Sequence, residues 1–368
     1  MLKRLLHVIP TLDQGGAEKQ LVLLASRLPR DEFDVRVCAL TRGGPLEDVL
    51  HDAGIPLTVI GKSWKLDPVA YHRLKQEVRS ARADIVHTWL FAANSYGRQA
   101  ALACKTPHLV AGERCADPWK VTYEFMIDRH LTRRTDAIVV PGGGVRDFYV
   151  RHGLPAEKFH VIPNGVAAAS GDRQVSRENL LDGLKLPAGS RLVAAVGRLW
   201  RQKRVKDVIW AMELLSAVRK DVHLLIIGDG PERWRLERYC DRVHQDGQIH
   251  FLGHRDDVPS ILPHLECLWL ASSYEGMPNS ILEAMSGGAP VIATDIPGNR
   301  DLVIPSETGY LVPVGDRAGF ARHTLSLLED PQLAHRLGDA ARTRVREHFS
   351  VQAMVDRHAA LYRQLAGD

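Results

Sequence analysis

The chain has 368 residues, 45% hydrophobic and 25% charged, with 48 Lys and Arg against 44 Asp and Glu for a formal charge of +4. This is ordinary globular composition with length for about two domains, and it excludes a low-complexity chain; no nucleic-acid partner is expected. No apolar run approaches the roughly 20 residues that span a bilayer, and the five cysteines (38, 104, 115, 240, 267) lack CxxC spacing, which fits reduced thiols in a cytosolic protein without a zinc site.

The opening Met1-Leu-Lys-Arg-Leu-Leu-His-Val-Ile-Pro10 sets two basic residues before a short apolar run. Pro10 and the polar Asp13-Gln14-Gly15-Gly16 end that run at once, so it reads as a first strand and not as a signal peptide. Strand-like runs in the front half lie at residues 5–9, 34–40, 57–60, 84–88, 108–111, 137–140 and 159–162. Helical patterns at 17–28 and 68–82 separate them. In the second, Leu74, Val78 and Ala81 recur on one face, while Arg73, Lys75, Arg79 and Arg82 take the other. Residues 164–190 are polar and rich in Gly, Ser and Ala, and read as a linker with a poorly anchored helix.

A second series of strands is expected at 192–196, 223–227, 250–252, 267–271, 290–293 and 310–312, with helices at 206–218 and 231–245 between them. The chain then ends in helices at 318–328, 332–347 and 351–365. Strand–helix alternation twice over predicts an α/β protein of two parallel-sheet domains, 1–165 and 166–349, facing each other across a cleft. Residues 1–165 hold 23 Lys and Arg against 18 Asp and Glu. That basic balance suits an anionic membrane surface or an acidic acceptor; it equally suits a solvated face.

Ligands of open parallel sheets sit at the carboxyl ends of the strands, so the residues after each strand are the candidates for chemistry. Gly15 and Gly16 follow the first strand and open a helix, where backbone can approach an anion; a plain tight turn has the same look. Val196-Gly197-Arg198-Leu199 leads to Gln202-Lys203. Arg198 and Lys203 could neutralise a diphosphate leaving group without a metal, or be two surface cations. Most informative is Tyr274-Glu275-Gly276-Met277-Pro278-Asn279-Ser280-Ile281-Leu282-Glu283-Ala284-Met285. Glu275 lies in a loop, Asn279 or Ser280 is a plausible N-cap, and Glu283 falls near the first turn of the helix that follows. Both carboxylates read as hydrogen-bond acceptors, for sugar hydroxyls and a ribose diol. For Glu283, a charge that favours the helix N-terminus is the alternative.

The two glutamates, seven residues apart within Glu-Gly-Met-Pro-Asn-x-x-Leu-Glu-Ala-Met, resemble the signature of the retaining glycosyltransferases of family 4, which have the GT-B fold of two Rossmann-like domains. Gly15-Gly16-Ala17-Glu18, Ile162-Pro163-Asn164-Gly165-Val166, Gly228-Asp229-Gly230-Pro231 and Phe251-Leu252-Gly253 extend the resemblance over nearly the whole chain. It implies that Arg198 and Lys203 bind the donor diphosphate, and that Gly16, with Gly15, approaches it from the first domain. It implies further that Glu275 and the backbone of Gly276, Met277 and Pro278 hold the transferred sugar and β-phosphate. Glu283 would bind ribose, and the backbone near Gly253 and His254 would meet the base. The final helix, within 350–368, would cross back onto the first domain.

The pattern has two departures. Many relatives carry His-x-His after the fourth strand, where this chain has Val86-His87-Thr88-Trp89; His87 then reads as a packed strand-end histidine and Trp89 as a possible acceptor wall. After Ile296, where relatives have a Gly-Gly pair and a Glu, the text is Pro297-Gly298-Asn299-Arg300-Asp301, and Asp301 could replace that Glu. Glu113 and Arg114 are further acceptor-side candidates, with a structural ion pair as the alternative.

The expected activity is transfer of a sugar from a UDP- or GDP-sugar to a glycan or lipid-linked acceptor, in surface polysaccharide or glycolipid synthesis. No metal and no cofactor are expected, since no strand-end Asp-x-Asp is present. The expected setting is the cytoplasm, or the inner face of the membrane as a peripheral protein. A sugar-nucleotide epimerase, a phosphorylase and a non-catalytic nucleotide-sugar-binding protein on the same fold are the competing readings. A nicotinamide dehydrogenase lacks its glycine fingerprint here.

Overall fold

The computed structural model describes residues 2–167, 175–244 and 247–367. They fall into two compact units, Met1–Gly165 with Val351–Asp368, and Val166–Ser350. The first unit is built on strands β1 (Lys3–Ile9), β2 (Phe33–Ala39), β3 (Leu57–Val59), β4 (Ile85–Trp89), β5 (His108–Gly112), β6 (Ala137–Val140) and β7 (Phe159–Val161). All seven run parallel, in the order β3-β2-β1-β4-β5-β6-β7. The second is built on β8 (Arg191–Val196), β9 (Val222–Ile227), β10 (Ile249–Gly253), β11 (Cys267–Leu270), β12 (Val291–Thr294) and β13 (Gly309–Val312). These six are also parallel, in the order β10-β9-β8-β11-β12-β13.

The central strands are largely apolar because both faces of a parallel sheet are covered by helices. Alternation along the strand then decides which helix a residue meets. Leu5, Ile9, Ile85 and Trp89 share a core with Leu21 and Leu24 of the helix Gly16–Arg27 and with Met354, Val355 and Tyr362 of the helix Val351–Ala366. Leu6, Val8 and Val86 point the other way, to Leu74 and Val78 of the helix Pro68–Ala81 and Ala100 of the helix Leu90–Ala103. The second sheet repeats the scheme: Leu192, Ala194, Leu268 and Leu270 line one core, Val193, Ala195, Cys267 and Trp269 the other.

The helix predicted to be poorly anchored is Arg177–Gly183, and it is well held. Leu180 and Leu181 are buried in the second unit's core, the Ser176 hydroxyl accepts from Asn179 N at 3.2 Å, and Arg177 donates to the carbonyls of His264 and Ser190. Two leucines among polar residues gave the sequence too faint a period to show this. Residues 168–174 of the expected linker lie outside the described residues.

Strand order reverses between β1 and β4 in the first sheet and between β8 and β11 in the second. Loops leaving neighbouring strands there diverge to opposite faces, which leaves a crevice at the carboxyl edge.

Candidate functional site

In the second unit the loops after β8 and β11 flank the switch point and are stitched together. A short helix, Arg201–Lys203, lies between β8 and the helix Val205–Ser216. Gln202 donates to the Tyr274 carbonyl at 2.7 Å, and Ser273 N donates to the Gln202 carbonyl at 2.9 Å. Lys203 Nζ then meets Glu275 Oε1 at 2.6 Å, with both side chains largely buried. Ser272 Oγ donates to the same carboxylate oxygen at 2.6 Å. Thus the cation and carboxylate that the sequence separates by 72 positions face each other directly. Arg198 stands at the end of β8 with its guanidinium 4.6 Å from the centre of the Trp200 ring, exposed to solvent.

The Glu275 loop is backed by a layer that the sequence did not announce. Thr294 Oγ1 donates to the Ser272 carbonyl at 2.6 Å, and Asn299 Nδ2 donates to the Thr294 carbonyl at 2.8 Å. Gly298 packs so closely that a β-carbon there would lie 2.5 Å from the Gly276 carbonyl oxygen. Gly276, Met277 and Pro278 are buried. The following helix is Asn279–Gly287, and Pro278 occupies its N-cap position without a side-chain cap. The expected Asn279 or Ser280 cap is therefore corrected: both residues are already inside the helix, and the proline stops it from extending further back. Glu283 is half-buried in the second turn.

Two more loops, after β9 and β10, complete this edge of the sheet. Gly228 N donates to the Gly253 carbonyl at 2.7 Å, and Leu199 N to the Asp229 carbonyl at 2.9 Å. Gly228 has φ +129°, and a β-carbon on it would strike the Gly197 carbonyl, so the chain can cross here only as glycine. Gly253 is buried at the end of β10; His254 beside it is exposed and 3.1 Å from Asp256.

In the first unit, Gly15 and Gly16 begin the helix Gly16–Arg27, and no side chain caps it. The Glu18 carboxylate lies against Gly15, where a β-carbon would be 2.1 Å from it. The acceptor-side candidates divide into two buried networks. His87 and Trp89 are fully buried, stacked at 4.7 Å, and share their face of the sheet with His7. The His87 Nδ1 and the Tyr362 hydroxyl are 2.7 Å apart, and Trp89 Nε1 donates to His7 Nδ1 at 3.1 Å. The indole is thus a core element beneath the helix Val351–Ala366 and not an open acceptor wall, which corrects that expectation. Burial drives His87 well below the ordinary imidazole range, and His7 and His358 down to about 3, so the cluster is neutral. Leu90, the next residue, holds φ +67°, a left-handed conformation that costs a bulky side chain energy.

Glu113 and Arg114 do not pair with each other. Glu113 is buried among Asn94, Lys120 and Tyr149, at 2.9, 3.4 and 2.9 Å, and Lys120 and Arg98 in turn hold Asp128. Arg114 lies over Trp89 and bonds Asn164. Burial lowers its guanidinium to about 10. These contacts give both residues a structural place.

A model of the glycosyl transferases group 1 matches residues 176–344, and one of glycosyltransferase family 4 matches residues 14–169. The chain belongs to the group 1 glycosyltransferases. This glycosyltransferase is 27% identical over 351 residues to the UDP-Gal:alpha-D-GlcNAc-diphosphoundecaprenol alpha-1,3-galactosyltransferase of Escherichia coli, covering 91% of this chain and 90% of that one. It is 31% identical over 178 residues to the N-acetyl-alpha-D-glucosaminyl L-malate synthase of Bacillus anthracis, 48% of this chain and 46% of that protein. Its fold is GT-B: it superimposes on Anabaena HepE in complex with UDP and glucose with a TM-score of 0.87 at 21% identity, covering 99% and 100% of the two chains.

Ser272, Thr294, Gly298 and Asn299 are the residues of this glycosyltransferase that sequence reasoning missed. Their signal was weak but present: Ser272 and Thr294 directly follow or end buried strand runs, where a polar residue needs a partner. Among the described residues, no helix is long and apolar enough to cross a membrane.

Proposed function

We propose that this glycosyltransferase moves a sugar from a UDP-sugar to a glycan or lipid-linked acceptor, with retention of anomeric configuration and without a metal ion. The observation that carries the reading is the Lys203–Glu275 contact at the switch point of the second sheet. Without donor, each group neutralises the other. A donor diphosphate would compete for Lys203, with Arg198 as the second cation, and free Glu275 to accept hydroxyls of the sugar. The backbone of Gly276 to Pro278 would turn toward the β-phosphate, Glu283 toward the ribose, and the Gly253–His254 edge toward the base.

In the reaction, the bond from the anomeric carbon to the β-phosphate oxygen breaks while a bond to the acceptor oxygen forms on the same face. The acceptor proton passes to the departing phosphate. Arg198 and Lys203 stabilise the charge that grows there, an effect of the kind that dominates many enzymic rate enhancements. UDP as the nucleotide is supported by the E. coli relative, named for a UDP-galactose donor, and by the UDP-bound HepE structure. A lipid-linked acceptor, and a place in surface polysaccharide or glycolipid synthesis, are supported by that same relative, whose name carries a diphosphoundecaprenol.

Titration calorimetry with UDP-sugars, then turnover with a lipid-linked or soluble glycan, tests this. Lys203→Ala should weaken donor binding, and Glu275→Gln should lower kcat on the order of 100-fold with little change in donor affinity. Wild-type affinity in Lys203→Ala together with wild-type kcat in Glu275→Gln would remove the donor-site assignment. Activity lost in chelator and restored by manganese would remove the metal-free part, and an inverted product would remove retention.

A further inference from the structure

The two cations at the end of β8 are held in different ways. Lys203 is tied to Glu275 at 2.6 Å, so an anion must displace a carboxylate to reach it. Among the described residues, no carboxylate pairs with Arg198. The acidic side chains of the adjoining loops are taken by other cations: Asp229 by Arg233 at 3.2 Å, Glu232 by Arg235 at 3.1 Å and Glu275 by Lys203. What meets the Arg198 guanidinium is the ring of Trp200, with the guanidinium carbon 4.6 Å from the ring centre.

The local sequence puts these two side chains together. Leu199 between them is buried, pinned by its N–H to the Asp229 carbonyl at 2.9 Å and by its carbonyl to Glu232 N at 3.1 Å. Exposure alternates across it, so Arg198 and Trp200 emerge on the same side of the chain. The Trp200 backbone is fixed as well: its N–H donates to the Arg198 carbonyl at 2.8 Å, and its carbonyl accepts from Lys203 N at 2.9 Å. Trp200 is 45% exposed, so its ring is not a core element of the second unit.

Stacking and ion pairing constrain a guanidinium differently. A carboxylate occupies the N–H donors, which lie in the guanidinium plane; an aromatic ring holds the face and leaves those donors open. We propose that Trp200 is a positioning residue for donor binding: its ring fixes the plane of Arg198 and keeps the N–H edge open to the diphosphate. This rests on the reading of Arg198 as a diphosphate-binding cation. Titration calorimetry with UDP, and with GDP in parallel, tests it. Trp200→Leu keeps both backbone bonds and an apolar side chain but removes the ring, and should weaken nucleotide binding about two- to fivefold. Trp200→Tyr, which restores a ring, should stay within about twofold of wild type. In an Arg198→Gln background, Trp200→Leu should cost nothing further, because the ring then has no guanidinium to hold.

A ring that merely packed the loop would cost the same in both backgrounds, and that result overturns the proposal. So does wild-type affinity in Trp200→Leu, or binding by Trp200→Tyr as weak as that by Trp200→Leu. Wild-type affinity in Arg198→Gln removes the diphosphate reading of Arg198 and the proposal with it, as does a wild type that binds neither nucleotide. Weakened binding in Arg198→Gln with none in Trp200→Leu leaves that reading in place and removes the proposal alone.

Discussion

His358→Phe should take away a measurable part of the acid sensitivity of the first unit. His358 is buried against Trp89, its ring 6.3 Å away and nearly parallel, with Nδ1 on the Met354 carbonyl at 2.9 Å. Burial, the largest cause, lowers its pKa from 6.5 to about 3. Folding therefore favours the neutral ring, and its contribution is intact above about 6.5 and declines as pH falls toward 3. At pH 5.5, one unit below the unfolded value, the penalty is about 1.4 kcal/mol. His358 also depresses His7, so its removal relieves a second group in the same direction. Urea unfolding of wild type and variant at pH 7.5 and 5.5, followed by tryptophan fluorescence, reads the double difference. Wild type should lose at least about 1.4 kcal/mol more than the variant across that interval. Equal losses would mean that the ring carries no burial penalty in the folded protein, and the account of a neutral histidine cluster would fail.

Two further outcomes follow from the networks around the sites. Gly298→Ala places a methyl group 2.5 Å from the Gly276 carbonyl, so the Glu275 loop must move. The expected cost is about 1–3 kcal/mol of stability in the second unit, with weaker donor binding by calorimetry; unaltered values for both would show that the loop is not braced from this side. Asp117 is raised to about 7 by burial and by the neighbouring Glu113, so its protonated form is the one folding favours. Its contribution is full at low pH and is lost as pH rises through 7, so from pH 6 to 8 wild type should lose about 1 kcal/mol relative to Asp117→Asn in paired urea titrations.

The thirteen strands of the described residues were legible because each carries a mostly apolar stretch, least broken where helices cover both faces, and such stretches survive without knowledge of the partners. Their ends moved by a residue or two, as at β4, where Trp89 continues the strand that the sequence reading ended at Thr88. Lys203 and Glu275 were legible as chemistry, but their contact was not, since nothing local tells a chain that two loops 72 residues apart flank one reversal of strand order. Trp89 went astray for a related reason: the sequence gives its face of the sheet, and only the return of Tyr362 and His358 from the far end of the chain shows that this face is covered. The bracing by Thr294 and Asn299 left only a faint signal, because hydroxyl and amide side chains are common at strand ends and in turns, whatever they bond.

The helix Val351–Ala366 belongs to the core of the first unit, although 185 residues of the second unit precede it in the chain. On a ribosome, the sheet of the first unit would emerge early with the His7, His87 and Trp89 side uncovered, and would wait for the last stretch to be made. The second unit could mature in that interval, so the first to be started would be the last to be finished. Loss of the final 18 residues would be felt at the front of the protein rather than at its back.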